Sequence, residues 1–173
     1  MLFGTVLHRR VYAKQQTPIA KRTAGITLLA PVTGRLVPLE TLDDPVFSQR
    51  LIGDGAAIRP EDGMVRSPCD GTIATVFPTG HALSITAAND CTIAIHIGLD
   101  TVELNGQGFR PLVSKGDRVA SGQPLVEFDL VGISKTRDPV TILAIEQSNQ
   151  FILHALATER VHAGDALISL ERR

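Results

Sequence analysis

Tryptophan is absent, tyrosine occurs once, and aromatic residues make up only 4% of the 173-residue chain. Sequence-tolerant binding of single strands depends on aromatic stacking platforms, so this composition argues against that class. An excess of one charge is missing too. Seventeen Lys and Arg face 18 Asp and Glu, a formal net charge of -1, so no general affinity for polyanions and no nucleic-acid partner is expected. Cysteine is scarce: Cys69 and Cys91 stand alone, with no CxxC pair and no ladder. That excludes a disulfide framework and fits a reducing, cytoplasmic setting. No apolar run approaches the ~18 residues that span a bilayer. The first residues place their basic side chains after a very short apolar stretch, the reverse of a secretory signal.

What the chain does have is unevenly arranged. Residues 1–29 carry Arg9, Arg10, Lys14, Lys21 and Arg22 and no acid, whereas residues 30–173 carry 12 basic and 18 acidic residues. The beginning therefore reads as a basic, flexible arm over residues 1–25, and residues 26–173 as one domain. With 43% hydrophobic residues the body has the composition of a globular core.

That body is written in short apolar or alternating stretches, among them ITLLA, GTIATVF, CTIAIHI, PLVEFDL and PVTILAI, broken by Gly, Pro, Asp and Asn. Many short strands at close spacing predict an all-β, antiparallel sandwich or barrel with few short helices. One helical turn is expected within Asp43–Leu51, where Asp44 can cap and Pro45 can open it. A second short helix is expected over Ser148–Thr158. Two internal echoes point to a duplicated motif. Ala30-Pro31-Val32-Thr33-Gly34 returns 37 residues later as Ser67-Pro68-Cys69-Asp70-Gly71, and Lys115-Gly116-Asp117-Arg118-Val119 resembles Ala163-Gly164-Asp165-Ala166-Leu167.

Five histidines are the candidates for chemistry. His8, His154 and His162 have no carboxylate or cysteine at ligand spacing and read as ordinary surface or structural residues. His96 lies in Thr92-Ile93-Ala94-Ile95-His96-Ile97. Alternation sends the three isoleucines to the core and Thr92, Ala94 and His96 to the opposite face. Apolar surroundings favour a neutral, nucleophilic imidazole, and a backbone carbonyl near Gly98 could accept its Nδ1 proton and leave Nε2 free. His81 follows Thr79-Gly80, and simple parity groups it with Leu83 and Ile85 on the inner face. Side by side, the two rings could serve as nucleophile and hydrogen-bond donor, or as two ligands of a metal that still needs a third.

The ordered set Thr79-Gly80-His81-Ala82, His96-Ile97-Gly98-Leu99-Asp100-Thr101-Val102-Glu103-Leu104 and Gly106-Gln107-Gly108-Phe109 resembles the glucose-type enzyme IIA component of the bacterial sugar phosphotransferase system. Asp44-Pro45-Val46-Phe47-Ser48, Gly53-Asp54-Gly55 and Val126-Glu127-Phe128-Asp129 extend the similarity over roughly residues 27–171. The resemblance implies a phosphocarrier on a duplicated β-sandwich. A phosphoryl group from the histidine phosphocarrier protein HPr would reside on Nε2 of His96 and pass to the cysteine of a sugar-specific IIB domain. His81 would stabilise it in transfer, Thr79 would orient His81, and Asp100 and Val102 would line the site. Val46, Phe47, Leu51, Ile52 and Phe77 match the hydrophobic rim that docks partners. No intrinsic cofactor or metal is implied, although a partner carboxylate could complete a zinc site with His81 and His96. In some relatives an amphipathic N-terminal segment touches anionic lipid, which extends to residues 1–14 here as weak membrane contact.

The chain departs from the enteric pattern: Ala94 stands where Phe is usual, Leu83 replaces another Phe, and Val131–Asp138 is a shorter segment. Two other classes are less well matched. A zinc peptidase of the related sandwich type usually carries an H-x-H pair, absent at His96-Ile97-Gly98. A lipoyl or biotinyl carrier presents a Met-Lys hairpin, and no Met-Lys occurs.

Overall fold

Alternating burial along the apolar stretches carries them into strands, as in Thr92–Ile97, where every second side chain is buried. The computed structural model describes residues 25–87 and 90–173. Its strands are, in chain order, β1 (Ile26–Leu29), β2 (Gly34–Val37), β3 (Asp54–Pro60), β4 (Met64–Arg66), β5 (Gly71–Val76), β6 (Ala82–Ala87), β7 (Thr92–Ile97), β8 (Phe109–Pro111), β9 (Arg118–Val119), β10 (Pro124–Phe128), β11 (Thr141–Ile145), β12 (Phe151–Ala155), β13 (Arg160–Val161) and β14 (Ala166–Arg172). Two single-turn helices, α1 (Pro45–Ser48) and α2 (Leu130–Ile133), interrupt them. The basic segment, with the membrane contact expected of residues 1–14, lies outside the described residues.

Strand order exposes the duplication. The large sheet runs β13-β2-β3-β11-β7-β6-β5-β9, and two smaller sheets run β1-β14-β12 and β4-β10-β8. Every pairing is antiparallel. A pseudo-two-fold between β11 and β7 therefore matches β2 with β5, β3 with β6 and β13 with β9. The first echo meets itself across this axis: Leu29 N–H donates to the Pro68 carbonyl, and Arg66 N–H to the Pro31 carbonyl, both at 2.8 Å. Strands β4–β10 form one contiguous unit, inserted between β3 and β11 of the other.

The second echo pairs differently from its sequence match. Ala30 exchanges backbone hydrogen bonds with Gly164 and Asp165, and Ser67 does so with Gly122 and Gln123. The counterpart of Gly164 is thus Gly122, 42 residues earlier, not Gly116. All three glycines have positive φ, at 93°, 79° and 95° for Gly116, Gly122 and Gly164. The same tight-turn chemistry made the wrong pair look alike.

Helix α1 forms as expected, with the Asp44 carboxylate accepting from Val46 N–H at 2.8 Å and Pro45 opening the turn. The helix expected over Ser148–Thr158 does not form. Only Ser148–Gln150 makes a 3-10 turn, and residues 151–155 are β12, aligned on β14 with Leu153 opposite Leu170. Ser148 Oγ accepts from Asp54 N–H instead of capping a helix.

The main core lies between the large sheet and the two small ones, with Ile93, Ile95 and Ile97 packed among Leu28, Leu125, Leu167 and Leu170. A second, smaller cluster covers part of the other face, where Leu39, Leu42 and Phe47 close over Ala57, Val140 and Ile142. It is this outer face that carries His96. No described helix is long and apolar enough to cross a membrane.

Candidate functional site

His96 stands on the outer face of β7, as alternation predicts, opposite Ala82 of β6 and Ile142 of β11. The methyl of Ala82 leaves the ring space, and the Phe47 ring packs against it with centroids 4.9 Å apart. Nδ1 is fully enclosed and no acceptor lies in hydrogen-bonding geometry. The half-buried ring therefore presents its other nitrogen, Nε2, to the open side. The Gly98 backbone favours the protonated ring but falls short of the formed bond expected from the sequence. Burial, reinforced by neighbouring His81, pulls the His96 pKa from 6.5 down to about 4, against weaker opposing effects of Gly98 and Asp44.

Parity fails for His81. The strand begins at Ala82, one residue later, and Gly80 with φ +72° turns the chain before it. A Cβ on Gly80 would sit 2.9 Å from Pro111 and 3.1 Å from Phe109, so glycine is required on both counts. Released from strand alternation, the His81 ring meets His96 edge to face, centroids 4.9 Å apart and planes at 82°. Phe77 and Phe109 flank it at 5.6 and 6.5 Å. His81 is 4% exposed, and this burial lowers its pKa. Thr79 Oγ1 lies 2.5 Å from His81 Nδ1, which leaves His81 Nε2 as the unengaged nitrogen.

The segment after His96 is held from several sides. Gly98 N–H donates to Val140, Leu99 N–H to Asp138, and the buried Thr101 hydroxyl to the Ile97 carbonyl at 2.5 Å. Asp100, in the left-handed region at φ 55°, is exposed at the start of the 3-10 turn Thr101–Leu104.

Around the two histidines lies a dish of about 330 Å³. Ile52, Phe77 and Phe47 line it; Val46, Leu51, Asp100 and Val102 are not part of its lining, the three apolar ones being exposed side chains, Leu51 at 67% and Val102 at 52%. Phe47 lines the dish from within: at 5% exposure it belongs to the second core cluster and packs against the His96 ring. Sequence reasoning missed Ser84, Ala144, Glu146 and Phe109. Ala144 and Glu146 reach it from β11 and its end, some 50 residues beyond β7, which leaves no local signal, whereas Ser84 comes from the neighbouring β6, opposite Ala94. Among the described residues, no cluster of three or more His, Cys, Asp or Glu could hold a metal ion.

Proton binding at this site has a defined direction. Between about pH 4 and 6.5 the unfolded chain binds the His96 proton better than the folded one does, so stability falls as pH drops through that window. Nitrogen-detected NMR of the full chain is expected to show His96 neutral at pH 6, with protonation setting in only toward pH 4. An ordinary titration near 6.5 would contradict this environment.

Residues 26–151 match the family model of the phosphoenolpyruvate-dependent sugar phosphotransferase system, EIIA 1. The chain belongs to this family. It is 45% identical over 125 residues to the glucose-specific EIIA component of Oceanobacillus iheyensis, covering 72% of this chain and 76% of the relative. The glucose-specific EIIA component of Staphylococcus epidermidis is 41% identical over 142 residues, 82% of this chain and 81% of that protein. A glucoside-specific EIICBA component of Staphylococcus carnosus matches 83% of this chain at 39% identity, over only 21% of its own length. The solved glucose permease IIA of Mycoplasma capricolum superposes with a TM-score of 0.79 at 33% identity, covering 84% of this chain and 95% of that one. The resemblance read from the motifs is thus established, together with the antiparallel β-sandwich fold and a phosphocarrier role in sugar transport.

Proposed function

We propose that His96 is the residue that carries the phosphoryl group, taking it from HPr and giving it to the cysteine of a sugar-specific IIB domain. The observation that supports this most directly is the pair of neutral imidazoles, edge to face at 4.9 Å, at the bottom of an apolar dish open to visiting proteins.

In the first step the lone pair on Nε2 of His96 attacks the phosphorus of the donor's phosphohistidine. The N–P bond of the donor breaks, and its electron pair returns to the donor ring. In the second step an acceptor thiolate attacks the same phosphorus, and the electron pair of the new N–P bond returns to His96. Such transfers depend on in-line positioning and on stabilising charge at the peripheral oxygens. Burial keeps His96 unprotonated, so its lone pair is available. The Thr79 hydroxyl donates to Nδ1 of His81 and holds the His81 proton on Nε2, the nitrogen able to donate to a phosphoryl oxygen. Both partners must reach one nitrogen in turn, which requires a shallow dish rather than a deep pocket. This reading places the protein in the cytoplasm.

The test is a relay. The full chain is phosphorylated with radiolabelled phosphoenolpyruvate, the system's first enzyme and HPr, then offered to a panel of IIB domains. Acid-labile, base-stable label on His96 that chases onto a IIB cysteine is expected. Stable absence of label overturns the reading, and the IIB domain that empties it fastest identifies the permease served.

A further inference from the structure

The dish continues past the two histidines. Two residues along β7 from His96, small side chains form a row across four strands: Thr75, Ser84, Ala94 and Ala144 are successive cross-strand neighbours. The row floors a trench in the same cavity, with Glu146 also in its lining. Had position 94 a bulky side chain, the trench would be filled.

Small residues alone would make only a gap, but two polar groups specify what fits it. Ser84 is just 9% exposed and faces the cavity, and its hydroxyl makes no hydrogen bond to a described residue. Its oxygen opens on the dish, so water can serve it in the free protein, and an occupant that covers it must bring a hydrogen-bonding group of its own. Glu146 is the one charged side chain lining the cavity, and no cation pairs with its carboxylate among the described residues. Beside them Ile52 and Phe77 offer apolar surface. Apolar walls, a hydroxyl with no partner among the described residues and an exposed carboxylate together suit a long side chain with a hydrocarbon stem and a cationic tip. A guanidinium, with five donors in a planar fork, can serve the carboxylate and the hydroxyls at once. An apolar occupant would bury Ser84 unsatisfied, and an acidic one would be repelled by Glu146.

We propose that the trench beside His96 receives an arginine side chain from the protein that docks on the dish. The proposal rests on the phosphocarrier reading for the existence of that docking protein, and its first test is independent of phosphoryl chemistry. The unphosphorylated full chain is titrated with N-acetyl-arginine amide and, separately, N-acetyl-norleucine amide while backbone amide shifts are followed. Saturable shifts at Ser84, Ala94, Ala144 and Glu146 are expected with the arginine probe only. Glu146→Gln should weaken binding about three-fold, as for a solvent-exposed ion pair, and Ala94→Phe should abolish it. Equal binding of norleucine, no saturation by arginine, or no effect of Glu146→Gln overturns the proposal. The second test measures phosphoryl acceptance from phosphorylated HPr. Glu146→Gln should raise KM by a similar factor with kcat unchanged, whereas an unchanged KM overturns the docking role even if the probe binds. Loss of labelling in the wild-type chain would count instead against His96 as carrier and leave the probe result standing.

Discussion

A His96→Gln chain is expected to stay unlabelled when mixed with phosphorylated HPr at any concentration, while wild type fills to one phosphoryl group. Glutamine keeps much of the ring's bulk and polarity against Phe47, but its amide nitrogen has no lone pair able to attack phosphorus. The loss should be total rather than graded, because no other histidine among the described residues can substitute. His81 lacks an open approach at 4% exposure. His154 and His162 are exposed and lie outside the dish, on β12 and just after β13. The variant should still unfold cooperatively, since Ile93, Ile95 and Ile97 on the core side of β7 are untouched. Full labelling of this variant would remove His96 from the mechanism.

His81 should separate how far the reaction goes from how fast it goes. His81→Ala keeps the nucleophile, so label still accumulates on His96, but onward transfer to IIB should slow about 10²-fold, the usual cost of one lost donor to a developing oxyanion. His81→Gln should recover part of that rate, because its amide can donate from a similar position. Rapid-quench single turnovers with a saturating IIB domain distinguish the cases. Equal rates for His81→Ala and wild type would reduce His81 to a packing residue. Thr79 acts through His81 and touches no reacting atom, so a Thr79→Val change should give a milder version of the same defect.

Much of this site could be read before any coordinates, for local reasons. His96 sits mid-strand with isoleucines at 93, 95 and 97, and a period of two fixes its face. Asp44 and Pro45 announce α1 through chemistry confined to a single turn. Where the reading failed, the deciding contact was distant or an alternation had been broken. His81 precedes its strand by one residue, so parity assigned it to the wrong face. Residues 151–155 became a strand because β14 supplied a hydrogen-bonding partner, which local pattern does not reveal. Glu146, just past β11 and bonded through its N–H to the Thr92 carbonyl, and Ser84 of β6 flank β7 from opposite sides, some 60 residues apart in the chain.

The insertion of one β unit inside the other bears on how the chain assembles during synthesis. Strands β4–β10 are contiguous and can condense on their own short loops. By contrast, β3 must wait for β11, and β1 for β14, across the entire inserted segment. Closing long loops is entropically slower than closing short ones. The half bearing both histidines is therefore expected to take shape first, with β1 to β3 left as open edges until β11 to β14 are available to cover them.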